Sequence, residues 1–320
     1  MRWNIKHPSE GLVSSLKQEF NTSDIIAKVM ANRGVESLEN SRDFFNPSLD
    51  QLHDPFMMKN MDIAVNRIMQ NIQDEIPILA FGDYDVDGTT GASLLYLGLN
   101  ELNAKVEFYI PDRETEGYGL SAGGIDYAKS IGADLLITCD CGINAFDPVD
   151  YANQKQIDII ITDHHIPAKK LPSAFAVLNP KQKGCEYPFK GLCGCGVAFK
   201  LISALSEKSG IEQNVGLNYL DLVALATSAD MVPILDENRV LVQGGLEKLE
   251  RAEKPGIRQL LVQTGLAGES LNVGKLVFGL APKINAAGRM GDANRTVELL
   301  TTSNKARAKE LVSILVRENK

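Results

Sequence analysis

Five short apolar runs recur between residues 76 and 179, and their spacing constrains the fold more than any other feature of the chain. They are 76–81 (IPILAF), 105–110 (KVEFYI), 133–138 (ADLLIT), 157–162 (IDIIIT) and 174–179 (AFAVLN). None alternates cleanly between apolar and polar residues, as a strand with one wet face would. Segments of helical length, 89–103 and 144–156 among them, lie between the runs. Strands buried on both faces and separated by helices predict an α/β fold with a doubly wound, mostly parallel sheet. From about Gly196 the pattern is helical throughout, over 196–208, 216–230, 238–252, 256–265 and 304–318. Residues 1–75 read as helical and polar, with Ile and Met recurring at helical spacing over 61–72. The predicted organisation is an N-terminal helical segment (1–75), an α/β domain (76–235) and a helical connector (236–320).

Ligands of open parallel sheets bind beyond the carboxyl ends of the strands. Three of the runs end there in acidic or imidazole side chains: Gly82-Asp83-Tyr84-Asp85-Val86-Asp87-Gly88, Cys139-Asp140-Cys141-Gly142 and Asp163-His164-His165. Each has an ordinary alternative. Asp next to Gly favours solvated turns, and Asp140 could cap a helix opening at Asn144. A calcium loop would need a Glu at the twelfth position counted from Asp83, where Leu94 stands, so that alternative fails. Taken together on one sheet edge, carboxylates beside an imidazole pair suit Mn²⁺ or Mg²⁺ better than a thiolate-seeking metal. Two such ions bridged by carboxylates activate water for attack on phosphorus. Asp230 sits near the end of another apolar helical stretch, 221–234. Alone it would be an ordinary helix-end residue.

The net charge of -8 argues against a protein that coats DNA, because phosphate contacts normally come from Lys and Arg. It argues less against a nuclease, whose acidic site is offset by bound cations. The 5 cysteines, Cys139, Cys141, Cys185, Cys193 and Cys195, are odd in number and do not suggest a disulfide framework. Their Cys-x-Cys pairs lack the spacing of structural zinc sites, so reduced, mostly buried thiols are expected. With no run long enough to span a bilayer and no apolar signal segment, a soluble cytoplasmic protein is expected.

Asp83 to Gly88, the isolated Asp140, Asp163-His164-His165 and Asp230 resemble the four motifs of the DHH phosphoesterases. Further stretches narrow the resemblance to the RecJ branch. They are Leu52-His53-Asp54-Pro55-Phe56, Gly117-Tyr118-Gly119-Leu120-Ser121, Gly196-Val197-Ala198-Phe199-Lys200, Ala226 to Asp230, and Ala281 to Ala293. They fall in order along essentially the whole chain, with departures at Cys195 and Lys283.

The resemblance implies a hydrolase: a 5′→3′ exonuclease of single-stranded DNA, acting in repair and recombination with two Mn²⁺ or Mg²⁺ ions. By position, Asp85 and Asp140 would hold one ion. Asp87, Asp140, His164 and Asp230 would hold the other, with Asp140 bridging. His165 would face the scissile phosphate, and Asp83 and Asp163 would support the catalytic group. Arg289, and Arg113 as a second candidate, would meet substrate phosphate, which a guanidinium binds bidentately. The resemblance further implies a DHH-associated domain and an OB-fold, which would follow the helix at 304–318 and are missing from this sequence. The chain thus reads as a fragment or a short relative. Implied partners are single-stranded DNA and a helicase or single-strand-binding protein; a monomer without membrane contact is expected. Two alternatives stay open at this point. The same metal site could act on short oligoribonucleotides, cyclic dinucleotides or pyrophosphate, or the chain could be a non-catalytic DNA-binding subunit.

Overall fold

The structure, a computed structural model, describes residues 4–290 and 292–318, the side chains of Asn40, Ala287, Arg289, Met290 and Glu318 excepted. Its centre is a sheet of β1 (Ile78–Gly82), β2 (Val106–Tyr109), β3 (Leu135–Cys139), β4 (Asp158–Thr162) and β5 (Ala176–Leu178). All neighbours are parallel, in the order β2-β1-β3-β4-β5. These strands fall on the five apolar runs, β1 and β3 each extending one residue past them to Gly82 and Cys139.

The helices are α1 (Glu10–Glu19), α2 (Asp24–Asn32), α3 (Leu38–Phe45), α4 (Met61–Gln73), α5 (Val86–Glu101), α6 (Ala122–Ser130), α7 (Phe146–Gln154), α8 (Gly194–Lys208), α9 (Leu220–Ala229), α10 (Asp236–Arg251) and α11 (Pro255–Thr264). A short α12 (Val273–Lys275) enters a π-helical turn at Leu276–Leu280. α13 (Ala281–Met290), α14 (Asn294–Thr301) and α15 (Lys305–Glu318) follow. No helix among the described residues is long and apolar enough to cross a membrane.

The two faces of the sheet are covered differently. Ile78, Ala80, Leu135, Ile137 and Ile160 point into a large core shared with α4, α5, α8 and α9, which continues through α10 and α11 to Leu311 and Leu315 of α15. Leu79, Phe81, Leu136, Ile159 and Ile161 point to the other face, where α6 and α7 supply Ile125, Ala128, Val149 and Ala152. Burial on both faces removes any need for polar alternation. α1–α3 keep a small core of their own around Val13, Leu16, Ala27, Met30 and Val35. α4, grouped by sequence with the N-terminal segment, packs into the main core instead.

Strand register sets the position of the functional residues. Gly82 pairs with Cys139, and Cys139 with Thr162, so the three residues stand in one row across the sheet. The residue after each is an aspartate: Asp83, Asp140 and Asp163. β2 and β3 flank β1 on opposite sides, so the winding direction reverses between β1 and β3. Crevices at such reversals are where ligands of this architecture bind.

Candidate metal centre

Asp83 and Asp85 leave β1 on a turn that enters α5, where Asp85 is the N-cap and accepts from the Gly88 N–H at 3.0 Å. The ordinary capping role therefore holds for Asp85 with one of its oxygens. Gly88 is required here, because a Cβ would lie 2.4 Å from the Asp83 carbonyl oxygen. Asp140 takes a left-handed backbone (φ 61) immediately after β3, a conformation Asp tolerates better than most residues. It does not cap α7, whose N-cap is Ala145. The left-handed turn brings the carboxylate alongside His164, with Oδ1 3.1 Å from Nε2. The same Nε2 lies 3.6 Å from Asp230 Oδ2 and 3.8 Å from Asp87 Oδ2.

Asp87, in the first turn of α5, is held from the opposite side by the start of α8. Its oxygens accept from the Gly194 N–H at 2.6 Å and the Cys195 N–H at 2.8 Å. This helix N-terminus receives a carboxylate from its own chain. Asp163 is held by the Ile143 N–H at 2.9 Å and the His164 N–H at 2.7 Å. Asp163 Oδ1 also pairs with His165 Nδ1 at 2.8 Å, which directs the far nitrogen of that imidazole away from the carboxylate. Asp230, at the C-cap of α9, completes the group.

The centre gathers three sets of candidate ligand atoms, each set mutually within 4.8 Å: Asp83, Asp85 and Asp140; Asp87, His164 and Asp230; and Asp140, His164 and His165. Among the described residues, ten buried side-chain N or O atoms lack a hydrogen-bond partner, and six of them belong to Asp83, Asp140, His164 and Asp230. Orphaned polar atoms are costly in a folded interior, by about 1–3 kcal/mol each and more when charged. Their concentration at one spot points to a cation.

The electrostatics agree. Burial, then repulsion from Asp85, pushes the Asp83 carboxyl up to about 7. Burial, then Asp230 and Asp85, does the same to Asp87, also to about 7. Asp140 is pushed well above its ordinary range by burial and by Asp87, and Asp230 to about 6 by burial and Asp85. His164 is pushed down to about 4 by burial and by His165, leaving a neutral imidazole able to ligate. Burial opposes ionisation of Asp163, but the hydrogen bonds from His165 outweigh it and hold that carboxyl below the usual range. His165 is raised chiefly by that same bond to Asp163.

Every aspartate and histidine singled out from the sequence thus lies in one cleft at the carboxyl edge of the sheet. Arg113 is exposed nearby, its guanidinium 5.3 Å from the Tyr84 ring. The Arg289 side chain lies outside the described residues. Sequence reasoning missed several supports. The Tyr118 hydroxyl donates to the Asp140 carbonyl at 3.2 Å, and Lys181 donates to the His164 carbonyl. Asn179 donates to the His165 carbonyl at 2.9 Å, and Asn285 Oδ1 accepts from the Val86 N–H at 3.2 Å. Tyr118 and Asn285 lie in stretches that carry the resemblance, whereas Asn179 and Lys181 carried no signal of their own.

Residues 77–227 match the family described as DHH family, N-terminal domain. The single-stranded-DNA-specific exonuclease RecJ of Bacillus subtilis is 40% identical over 320 residues, covering all of this chain and 40% of the relative. The enzyme of the same name from Escherichia coli is 33% identical over 302 residues, 91% of this chain and 52% of its own length. The chain therefore spans about half or less of these relatives. A crystal structure of exonuclease RecJ bound to manganese superposes with a TM-score of 0.76 at 34% identity, covering 85% of this chain and 67% of that one. RecJ from Thermus thermophilus in complex with Mn²⁺ superposes at 0.81 with 30% identity, over 98% of this chain and 44% of that one. With the row of strand-end aspartates, the imidazole pair and these likenesses in hand, the chain belongs to the DHH family, on its RecJ branch.

Proposed function

We propose that this chain is the catalytic part of a 5′→3′ exonuclease that hydrolyses single-stranded DNA with two Mn²⁺ or Mg²⁺ ions, in DNA repair and recombination. The observation that carries the proposal is the set of buried ligand atoms without hydrogen-bond partners, contributed by two strand ends, the turn after β1 and the end of α9. Oxygen-rich donors with one neutral imidazole fit Mn²⁺ or Mg²⁺. Asp85 and Asp140 would hold one ion; Asp87, Asp140, His164 and Asp230 would hold the second. Bound there, the ions supply a water of lowered pKa and offset charge on the phosphate.

The chain's own groups do the rest. Asp87 is anchored by two α8 N–H groups, so it cannot swing away when charge changes. Asp163 fixes the His165 ring and raises its proton affinity, which suits His165 to donate a hydrogen bond or proton at the scissile phosphate. Asp83, whose ligand atom groups with those of Asp85 and Asp140, would support them. Arg113 and Arg289 would take the terminal phosphate. The Bacillus subtilis and Escherichia coli relatives named as single-stranded-DNA-specific exonucleases support this substrate over other phosphodiesters.

The test is digestion of 5′-labelled single- and double-stranded DNA in Mn²⁺, beside a dinucleotide and pyrophosphate. Mononucleotides released from the 5′ end of the single strand are expected. Hydrolysis of pyrophosphate or dinucleotide alone would sink the proposed substrate while leaving the metal centre intact.

A further inference from the structure

The hydrogen-bond ladder between β4 and β5 ends at Asp163, whose N–H donates to the Leu178 carbonyl at 3.1 Å. His164 and His165 lie beyond it, outside any helix or strand. Among the described residues, no main-chain group bonds the N–H or the carbonyl of either histidine. Side chains take all four groups. Asp163 Oδ1 accepts from the His164 N–H at 2.7 Å and the His165 N–H at 3.0 Å. From the other side, Lys181 donates to the His164 carbonyl and Asn179 to the His165 carbonyl, the latter at 2.9 Å.

The two donors are themselves fixed. Asn179 is fully buried, and its Oδ1 accepts from the Lys181 N–H at 2.8 Å, which turns its amide N–H towards the histidine carbonyl. Pro180 restricts the turn between them. Gln182 closes that turn, its N–H donating to the Asn179 carbonyl at 3.1 Å and its side chain to the Val177 carbonyl at 2.6 Å. A braced turn at the end of the edge strand β5 thus reaches across to the imidazole pair. Attraction of metal does not account for the charge on Lys181. That charge is felt at His164 and Asp230, where it opposes a divalent cation.

We propose that Asn179 and Lys181 are positioning residues for hydrolysis, fixing the main chain of the imidazole pair and so the directions in which His164 and His165 face the reaction. The inference rests on the exonuclease reading above and extends it to residues outside the cluster of acids. With both carbonyls released, the pair keeps its N–H bonds to Asp163 and, one residue on, the bond from Asn144 to the Ile166 carbonyl at 3.3 Å. The peptide between the histidines can then turn between those two anchors. Displacing a reacting group by about 1 Å can cost about a hundredfold in rate, and partners that orient a metal ligand are worth roughly ten- to hundredfold.

The experiment uses the 320-residue chain with Lys181→Met, Lys181→Arg and Asn179→Asp. The first readout is imidazole NMR of the metal-free protein, in which only 4 histidines contribute. Lys181→Met and Asn179→Asp should shift or broaden the ring signals of His164 and His165 and leave those of His7 and His53 in place. The thermal midpoint of Lys181→Met, an exposed position, should stay within about 3 °C of the wild type. The second readout is steady-state hydrolysis of a 5′-phosphorylated single strand in saturating Mn²⁺. Lys181→Met should lower kcat roughly ten- to hundredfold with KM within about threefold, and Lys181→Arg, which still donates to the carbonyl, should regain most of the loss. Unmoved His164 and His165 signals in Lys181→Met, or a kcat within about threefold of the wild type, would overturn the proposal. A change in KM alone would also overturn it, assigning Lys181 to strand binding instead. The Lys181 variants decide the matter even if Asn179→Asp does not fold. A wild-type chain that cleaves no strand would overturn the exonuclease reading, while the ring signals still decide whether the clasp holds the pair.

Discussion

Asp140→Asn should make the metal-free protein more stable and the enzyme inactive. Asn is isosteric with Asp and also tolerates the left-handed backbone at φ 61. The Asp140 Oδ1 atom has no hydrogen-bond partner to lose. What the substitution removes is charge. A carboxylate 4.8 Å from an ionised neighbour, the outer limit of the Asp83, Asp85 and Asp140 group, is repelled by about 3 kcal/mol at an effective dielectric of 20. Burial and the Asp87 carboxylate push its own carboxyl well above the ordinary range, and any proton it keeps relieves part of this repulsion. The realised gain at pH 8 is therefore smaller, about 1–3 kcal/mol, or a rise in Tm of about 2–6 °C.

The sign follows from linkage. A carboxyl raised in the fold favours folding below its unfolded pKa of 3.8, and that contribution is lost as pH rises through the folded value. The variant's advantage should thus grow as pH rises above 3.8 and be larger at pH 8 than at pH 5. Differential scanning calorimetry at both pH values, with and without Mn²⁺, reads all of this. The wild type should be stabilised by Mn²⁺ and the variant hardly at all. Hydrolysis by the variant should fall by at least about a thousandfold, roughly 4 kcal/mol of barrier. A metal-free variant less stable than the wild type at pH 8, or one stabilised by Mn²⁺ as strongly, would refute the argument.

Three further outcomes follow from the same geometry. Mn²⁺ affinity should weaken steadily as pH falls from 8 to 6, because Asp83 and Asp87 ionise near 7 and Asp230 near 6 without a cation; calorimetry in buffers of different ionisation enthalpy should register proton release on binding. Gly194→Ala places a Cβ 2.6 Å from the Asp140 Cβ, so it should cost about 1–3 kcal/mol by denaturant unfolding and diminish the Mn²⁺-induced rise in Tm. Lys200→Met leaves Glu237 buried without its ion-pair partner and should cost about 3–5 kcal/mol, much of it regained in Lys200→Met with Glu237→Leu.

The strands and most helices were legible because burial on both faces of a parallel sheet leaves uninterrupted apolar runs. The strand-end acids were legible only together, because a parallel sheet brings the ends of three such runs to one edge. α6 was not separated from its surroundings, since its AGGIDYAKS sequence carries two glycines that blur a helical pattern. α13 was noticed only through the resemblance of 281–293, and α14 was not noticed. Asn285 accepts from the Val86 N–H at the start of α5 and Asn294 from the Ile110 N–H at 3.1 Å, beside a small apolar contact of Ala293 and Val297 with Ala92 and Ile110, and isolated asparagines carry no periodic signal. The left-handed turn at Asp140 and the docking of Asp87 on α8 depend on register and packing, which residue types alone do not encode.

The anchoring of Asp87 on the start of α8, with Asp230 arriving from the end of α9, also shapes how the chain acquires its chemistry during synthesis. A nascent chain that has emerged only as far as His165 already carries Asp85, Asp140 and His164 but neither the N–H pair that steadies Asp87 nor the last acid. Assembly waits on contacts far apart in sequence, which form late in folding. The full set of acids is therefore brought together only in the completed fold, and a chain stalled before α8 and α9 lacks both the anchor of Asp87 and Asp230.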